Sequence, residues 1–496
     1  MTESIVSSSL RIKKNSSSNF VILLIAIFYF FNLNGGHDWG GDFSMYIHHA
    51  KNIASGVPYS QTGYIYNPDT AEYGPQAYPP VFPLLLAPIM VFGGINLLAL
   101  KIPNILCFIF FLFLLNNWII KDLPTFARVL LLAMIGFSPP FFIQSEMILS
   151  DIPFLLFTFI ALYRFDMTFS GENPGGYQVK YGLLTGLCVY LSYGTRTIGI
   201  ILIPILLVLV LLQPKKNWRP VIPILISAIG LIVIQNICVP GTGSYLDQFN
   251  GSLSRTVSLV VILFNYYLTL FIGLIPVGDE IWQKIIFLIT FLFFIVGLFA
   301  RFKKRPAGFD IFFAVYFASL LLWPSIQKYR FLLPIIPIYF LIMVEGFTNL
   351  LERVCSQPLV KNIILITCLC LTGLSYSYEY KNIFPRPVSA MELPSTRELF
   401  SYINRETRQD DVIVFFKPRV LALFTDRKSL ALAIPGREMD PLYRMKKNGV
   451  SWIIVRKEYD QEYQAEQIQM ISRNPDFFQS KFENDDFLVY QFMAPD

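Results

Sequence analysis

Up to about residue 378 the chain alternates long apolar runs with short polar segments, and beyond that point the apolar stretches shorten and charge rises. A helix that crosses a bilayer takes about 20 mainly apolar residues. Lipid offers backbone N–H and C=O groups no partner, so such runs are expected to be helical. They predict about eleven spans, near 18–34, 96–119, 128–143, 152–168, 181–195, 198–213, 220–238, 284–300, 309–325, 331–348 and 361–378. The fifth and sixth are short and are separated by the polar stretch Ser192 to Arg196. The first run, behind Arg11, Lys13 and Lys14, is followed by no small-residue cleavage site and reads as an uncleaved span.

Lys and Arg in the connections set orientation. With the N-terminus inside, the clusters Lys215–Lys216–Arg219 and Arg301–Arg305 both fall inside. The segment 256–276 is apolar enough to span, but a span there would place Arg301–Arg305 outside. It is therefore expected as an interfacial or re-entrant helix on the outer face. The region from about 379 is then also outside. Its short apolar strings predict strands at 411–416, 429–433, 451–455 and 487–492, with helices at 420–424 and 441–447. No Gly-x-Gly-x-x-Gly follows the first strand, so nothing indicates a dinucleotide site. The expected fold class is mainly α: a polytopic helical bundle with interfacial helices in its first outer loop and a small C-terminal α/β domain. The expected divisions are a cytoplasmic segment 1–17, a membrane part 18–378 with its first outer loop at 35–95, and an extracytoplasmic domain 379–496.

Composition removes one alternative. Charged residues make up 15% of the 496, against about 25% in soluble domains, and 54% are hydrophobic. A string of soluble domains is excluded. The net charge of +6 comes from small clusters between apolar runs, so no nucleic-acid partner is expected. Six cysteines in or beside apolar segments, without metal spacing, and three histidines give no sign of disulfides or zinc. Asn250-Gly251-Ser252 is a glycosylation sequon on the expected outer side.

Candidate chemistry gathers on that side. The loop 35–95 carries Asp38, Asp42, Asp69 and Glu72 among glycines and tyrosines. Loops this long are functional or disordered, and the aromatic content argues against disorder. Tyr46, Ile47, Ala50 and Ile53 are spaced as one face of a short amphipathic helix at the surface, which puts Asp42 at its N-cap. A cap and a chemical role are both open for Asp42. Glu146 and Asp151 lie where one helix leaves and the next begins, where carboxylates are costly and tend to be functional. Asp151, with Pro153 behind it, also suits a helix start. Arg196 and Arg330, the latter with Lys328 nearby, either snorkel to headgroups or clamp a phosphate.

Taken in order, these segments resemble the GT-C superfamily of membrane glycosyltransferases, notably protein O-mannosyltransferases, lipid A aminoarabinose transferases and lipopolysaccharide-core sugar transferases. The segments are GGDFSMYIHHAKNIASGVPY, YPPVFPLLLAP, SEMILSDIPF, GLLTGLCVYLSYGTRTIGIIL and KYRFLLPIIP. The resemblance implies transfer of a sugar, with inversion, from a polyprenyl-phosphate donor to an extracytoplasmic lipid, glycan or protein. It implies Asp42 as the catalytic base, or in some members a metal ligand, with Asp38 and Tyr46 of the same motif near the substrate. It implies that Glu146 and Asp151 assist with acceptor or metal. It implies that Arg330, Lys328 and Tyr329, and also Arg196, face the lipid phosphate. All these groups are expected to converge in one outer hollow, with the helices at 43–55 and 80–92 walling it. Many mannosyltransferases carry two adjacent acids where Gly41 and Phe43 flank Asp42 here, which leaves acceptor chemistry and a divalent metal open. No organic cofactor is implied, and the expected location is a bacterial inner membrane. The rival readings are a lipid-linked oligosaccharide flippase or transporter and a polysaccharide polymerase. A transporter predicts midplane polar residues and paired repeats, and no repeat is visible. A polymerase typically carries its large loop later in the chain.

Overall fold

The computed structural model describes residues 2–169, 179–213, 218–240, 253–304, 307–386, 388–432, 441–457 and 461–493. The sequon at Asn250, the basic residues Lys215, Lys216 and Arg305, and the side chains of Arg11, Lys13, Lys14 and Glu72 lie outside the described residues. Each apolar run is helical. Among the described residues, five helices are long and apolar enough to cross a membrane: Leu97–Ile119, Asp151–Phe169, Val221–Cys238, Glu280–Lys303 and Pro358–Ile383. A sixth is added if Thr125–Gly136 and Pro139–Ser145, bent by 50°, count as one. The bend follows from sequence. Pro139 forces the preceding Ser138 into extended backbone, ψ 128°, so the helix must stop and restart. Ser16–Phe31, Thr197–Leu211, Val257–Ile272 and Gly308–Leu321 are shorter apolar helices. The segment expected to be interfacial is the helix Leu253–Ile272, which buries Leu263 and Tyr267 and exposes Val261 and Ile262.

The chain divides into two compact units. One holds residues 1–34, 101–235 and 251–385, and the other 35–100, 236–250 and 386–496. The first contains an apolar core in which Tyr29, Phe108, Phe141 and Phe142 stack, tilt or meet edge-on. Its tightest crossing joins the helices Glu280–Lys304 and Ile336–Val354. A Cβ on Gly346 would lie 1.9 Å from the Phe293 carbonyl oxygen, and one on Gly297 would lie 2.0 Å from that of Ile342. Only glycine permits backbones this close. At the end of the same crossing Arg301 donates to Asp310 at 2.6 Å and to Glu345 at 2.9 Å. Asp310 also accepts the N–H of Ala307 at its helix start, at 2.8 Å. These charges are paired, as burial demands.

The second unit contains a five-stranded sheet: β1 (Val412–Val414), β2 (Lys428–Leu430), β3 (Val450–Arg456), β4 (Phe478–Glu483) and β5 (Phe487–Phe492). The order is β2-β1-β3-β5-β4, parallel across β2-β1-β3 and antiparallel across β3-β5-β4. Val414, Leu430, Ile453 and Met445 are fully buried at its centre. β4 and the helices Pro394–Glu406 and Gln461–Arg473 have no counterpart in the sequence reading. β4 is an edge strand that buries Phe478 alone, so it lacks the alternation that marks a strand. The first outer loop is part of this unit. Ile65 donates its N–H to the Ser429 carbonyl and Ser429 donates to that of Gly63, both at 2.9 Å, so residues 63–65 pair in parallel beside β2.

Candidate active site

In the first unit, Asp151 opens the helix Asp151–Phe169 and is 1% exposed. Its Oδ1 accepts from Nη1 of Arg196, and its Oδ2 accepts from Nε of Arg330 at 2.8 Å. Arg196 stands in extended backbone between the helix Val179–Thr195 and the 3-10 turn Thr197–Ile201. That turn folds back on the preceding helix end, where a Cβ on Gly199 would come within 2.6 Å of the Tyr193 nitrogen. The Arg196 guanidinium lies 5.2 Å from the Phe331 ring and 5.9 Å from that of Phe154. Arg330 is carried by the 3-10 turn Lys328–Phe331. One carboxylate thus holds two guanidiniums, planar cations of the kind that suit carboxylate or phosphate oxygens. Lys328 is exposed on the same turn, while the Tyr329 hydroxyl donates to the Leu270 carbonyl at 3.1 Å. Glu146 is half-buried and accepts from Asn34 at 3.3 Å, and the backbone and side-chain oxygens of Asn34 both accept from buried Lys101 at 3.0 Å.

In the second unit, Asp42 is not the helix cap that its position suggests. The helix is Gly41–Ser55, its N-cap is Gly40, and no side chain caps it. Nor does the helix lie on a surface. Contacts with Val81–Gly93 and Pro418–Thr425 bury it on most sides, from Phe43 to Asn52. With capping excluded, the Asp42 carboxylate has other partners. Tyr78 donates its hydroxyl to Oδ1 at 2.6 Å, and Arg419 Nη1 lies 3.5 Å from the same oxygen. The side chain remains 30% exposed. Arg419 is 2% exposed, donates to the Tyr78 hydroxyl and, through Nη2, to the carbonyls of Gly74 at 2.9 Å and Pro75 at 3.1 Å. Tyr64 and Tyr78 present ring faces to the same guanidinium at 4.7 and 4.9 Å. Lys417, two residues away, is held below the usual lysine range by burial, against the opposing pull of Asp42.

Tyr78 is positioned from its backbone as well. Its N–H donates to Nε2 of His49 at 3.1 Å, so that nitrogen is unprotonated and Nδ1 carries the proton, donated to the Tyr59 carbonyl at 2.9 Å. With both nitrogens engaged in a fully buried ring, burial pushes the His49 pKa down to about 3. Tyr46 is buried, with its ring 5.1 Å from that of Tyr78 and 5.0 Å from Phe82. Asp38 is exposed, and its carbonyl accepts from Gly40 at 2.7 Å.

The structure therefore brings Asp151, Arg196 and Arg330 together in one unit, and Asp42 and Tyr46 around Tyr78 in the other. Arg419, Lys417, Tyr78 and His49 are not among the residues the sequence reading selects. One signal for the first two exists. Lys417-Pro418-Arg419 follows a buried strand and opens a helix, where the dipole disfavours cations, and ligand sites favour the carboxyl ends of parallel strands. Among the described residues no group of three His, Cys, Asp or Glu side chains could hold a metal ion. The cations beside Asp42 make it a poor ligand for a divalent metal.

No family model matches the sequence, and no curated protein matches it. The fold does have counterparts. The chain superposes on ArnT from Cupriavidus metallidurans bound to undecaprenyl phosphate with a TM-score of 0.60 at 12% identity, covering 97% of this chain and 98% of that one. The archaeal oligosaccharyltransferase AglB from Archaeoglobus fulgidus, in complex with an inhibitory peptide and a dolichol-phosphate, matches with a TM-score of 0.57 at 10% identity over 89% of this chain and 70% of that one. The arabinofuranosyltransferase AftD from Mycobacteria matches with a TM-score of 0.57 at 11% identity, over 97% of this chain and 42% of that one. The chain has the GT-C fold that these proteins share.

Proposed function

We propose that this protein is a multi-pass membrane glycosyltransferase that moves a sugar from a polyprenyl-phosphate carrier to an extracytoplasmic acceptor, with inversion at the anomeric carbon. The observation that carries the reading is the Asp151 cluster: a buried carboxylate holding two guanidiniums, within a chain of which 97% follows the fold of a protein solved with undecaprenyl phosphate. In this reading Arg196 and Arg330, with Lys328 beside them, hold the leaving lipid phosphate. Planar guanidinium groups suit its oxygens, and preorganised charge counts for most where water is excluded. Asp151 serves as the group that aims the arginines, since both its oxygens are committed to them. Asp42 takes the proton of the attacking acceptor hydroxyl. The sugar–phosphate bond breaks as the acceptor oxygen bonds the anomeric carbon, and the phosphate leaves with the bonding electrons. The proposal includes about eleven spans, a cytoplasmic N-terminus, the second unit on the outer face and a bacterial inner membrane.

The test is transfer from a pool of radiolabelled polyprenyl-phosphate sugars by purified protein in lipid. A positioned base contributes about 10²–10⁴-fold. Asp42→Asn, which keeps shape and removes basicity, is expected to cut turnover by that range while leaving donor binding intact. Wild-type turnover by Asp42→Asn would remove the assignment.

A further inference from the structure

The C-terminal domain is tied to the acidic loop by several bonds, and one of them, through Arg419, reaches Asp42. Arg419 lies 377 positions from Asp42 in sequence, on the helix Pro418–Thr425 that follows β1. A buried guanidinium is costly unless its donors find acceptors. Here Nη2 is used on the carbonyls of Gly74 and Pro75, and Nη1 on the Tyr78 hydroxyl and the Asp42 carboxylate. The Tyr78 hydroxyl has one proton to donate and gives it to Asp42 Oδ1 at 2.6 Å, so it receives from Arg419 and gives to Asp42. The hydroxyl is therefore oriented by the cation behind it. His49 fixes the backbone of the same tyrosine from the opposite end. A charged donor behind a hydroxyl strengthens the bond that the hydroxyl makes. A carboxylate on a first-turn helix position that is only 70% covered would otherwise turn about its side-chain bonds.

We propose that Arg419 is a positioning residue for Asp42. Acting through Tyr78, it holds the carboxylate in one orientation, and the C-terminal domain is thereby part of the catalytic apparatus. This inference rests on the glycosyltransferase reading above. It predicts a defect in turnover rather than in donor affinity, because the arginine pair that meets the donor phosphate is untouched.

The experiment is steady-state transfer by the full chain in lipid, with wild type, Asp42→Asn, Tyr78→Phe, Arg419→Gln and Arg419→Lys compared at equal folded fraction. Tyr78→Phe keeps the ring packed on Tyr46 and under the guanidinium and removes only the intervening hydroxyl. It is expected to lower kcat by about 10-fold with donor KM unchanged. Arg419→Gln is expected to lower kcat by about 10²-fold, the scale of a roughly 1 Å misplacement, and Arg419→Lys to recover part of the loss. Wild-type kcat in Tyr78→Phe would overturn the proposal, even if Arg419→Gln failed to fold. A rise in donor KM with kcat unchanged in both variants would overturn it equally. If Asp42→Asn is inactive while Tyr78→Phe and Arg419→Gln turn over normally, this inference fails alone. If Asp42→Asn turns over normally, or wild type transfers no sugar, the underlying reading fails with it.

Discussion

A buried carboxylate between two arginines offsets part of their charge, and with the carboxylate removed like charges stand side by side. Asp151 is 1% exposed and the side chains of Arg196 and Arg330 are 16% and 15% exposed. Removing one partner of such a group costs about 3–5 kcal/mol. Asp151→Asn is therefore expected to lower stability by about 3 kcal/mol, seen as an earlier thermal transition in detergent. The double substitution Asp151→Asn with Arg196→Gln should cost less than the sum of the two singles, since the groups touch and their effects couple. Additive losses would show that the cluster does not act as a unit. Asp42 shows how far its own position was legible. Its place in an acidic, aromatic loop singles it out as a candidate for chemistry. The expectation that it caps a helix rested on spacing, and Gly40 takes that role because the helix begins two residues earlier than expected, at Gly41.

At the scale of elements, helix contacts follow from residue size. Gly346 meets the Phe293 carbonyl so closely that even a methyl group must push the helices apart. Gly346→Ala is expected to destabilise by about 3 kcal/mol or more, at or beyond the upper end of overpacking. Gly373, in the helix Pro358–Ile383, has nothing within 4 Å of a Cβ, so Gly373→Ala should be neutral or stabilising by up to about 1 kcal/mol. Thermal unfolding of the pair, followed by tryptophan fluorescence, separates these outcomes, and equal effects would refute the packing account. Both glycines stand in apolar helices and look alike in sequence. The strands show the same contrast. The alternation over 487–492 gives β5 to its ends, whereas β4 next to it was silent because it buries Phe478 alone and carries polar or charged residues at most of its other positions.

For the whole molecule, the second unit carries a dependence on acid. Burial pushes His48 down to about 4 and His49 down to about 3, from an ordinary value of 6.5. The unfolded chain therefore binds protons near pH 6.5 that the folded chain refuses. Stability is fully present above that value and falls as pH drops toward the folded values, by roughly 1.4 kcal/mol per histidine at about pH 5.5. The melting temperature should decline between about pH 7 and pH 5.5, and His49→Gln, which keeps a donor and an acceptor, should remove about half of that slope. A flat profile in wild type would show that the rings are not held neutral. The same histidine fixes Tyr78, so acid that unseats it is expected to reach Asp42 as well.

What the sequence determined by itself is what local pattern and composition carry: apolar stretches long enough to be helices in lipid, a change to short strands near residue 379, and an acidic loop and basic turns at the ends of those helices. These are properties of neighbouring residues, and hydrophobic period and turn chemistry report them directly. Only the tertiary structure decided the partners. Arg330 reaches Asp151 from 179 positions away and Arg419 reaches Asp42 from 377, and residues 35–100 join the C-terminal sheet in one unit. Such meetings depend on how elements far apart in the chain pack, and no periodicity within a segment records which distant segment will lie against it.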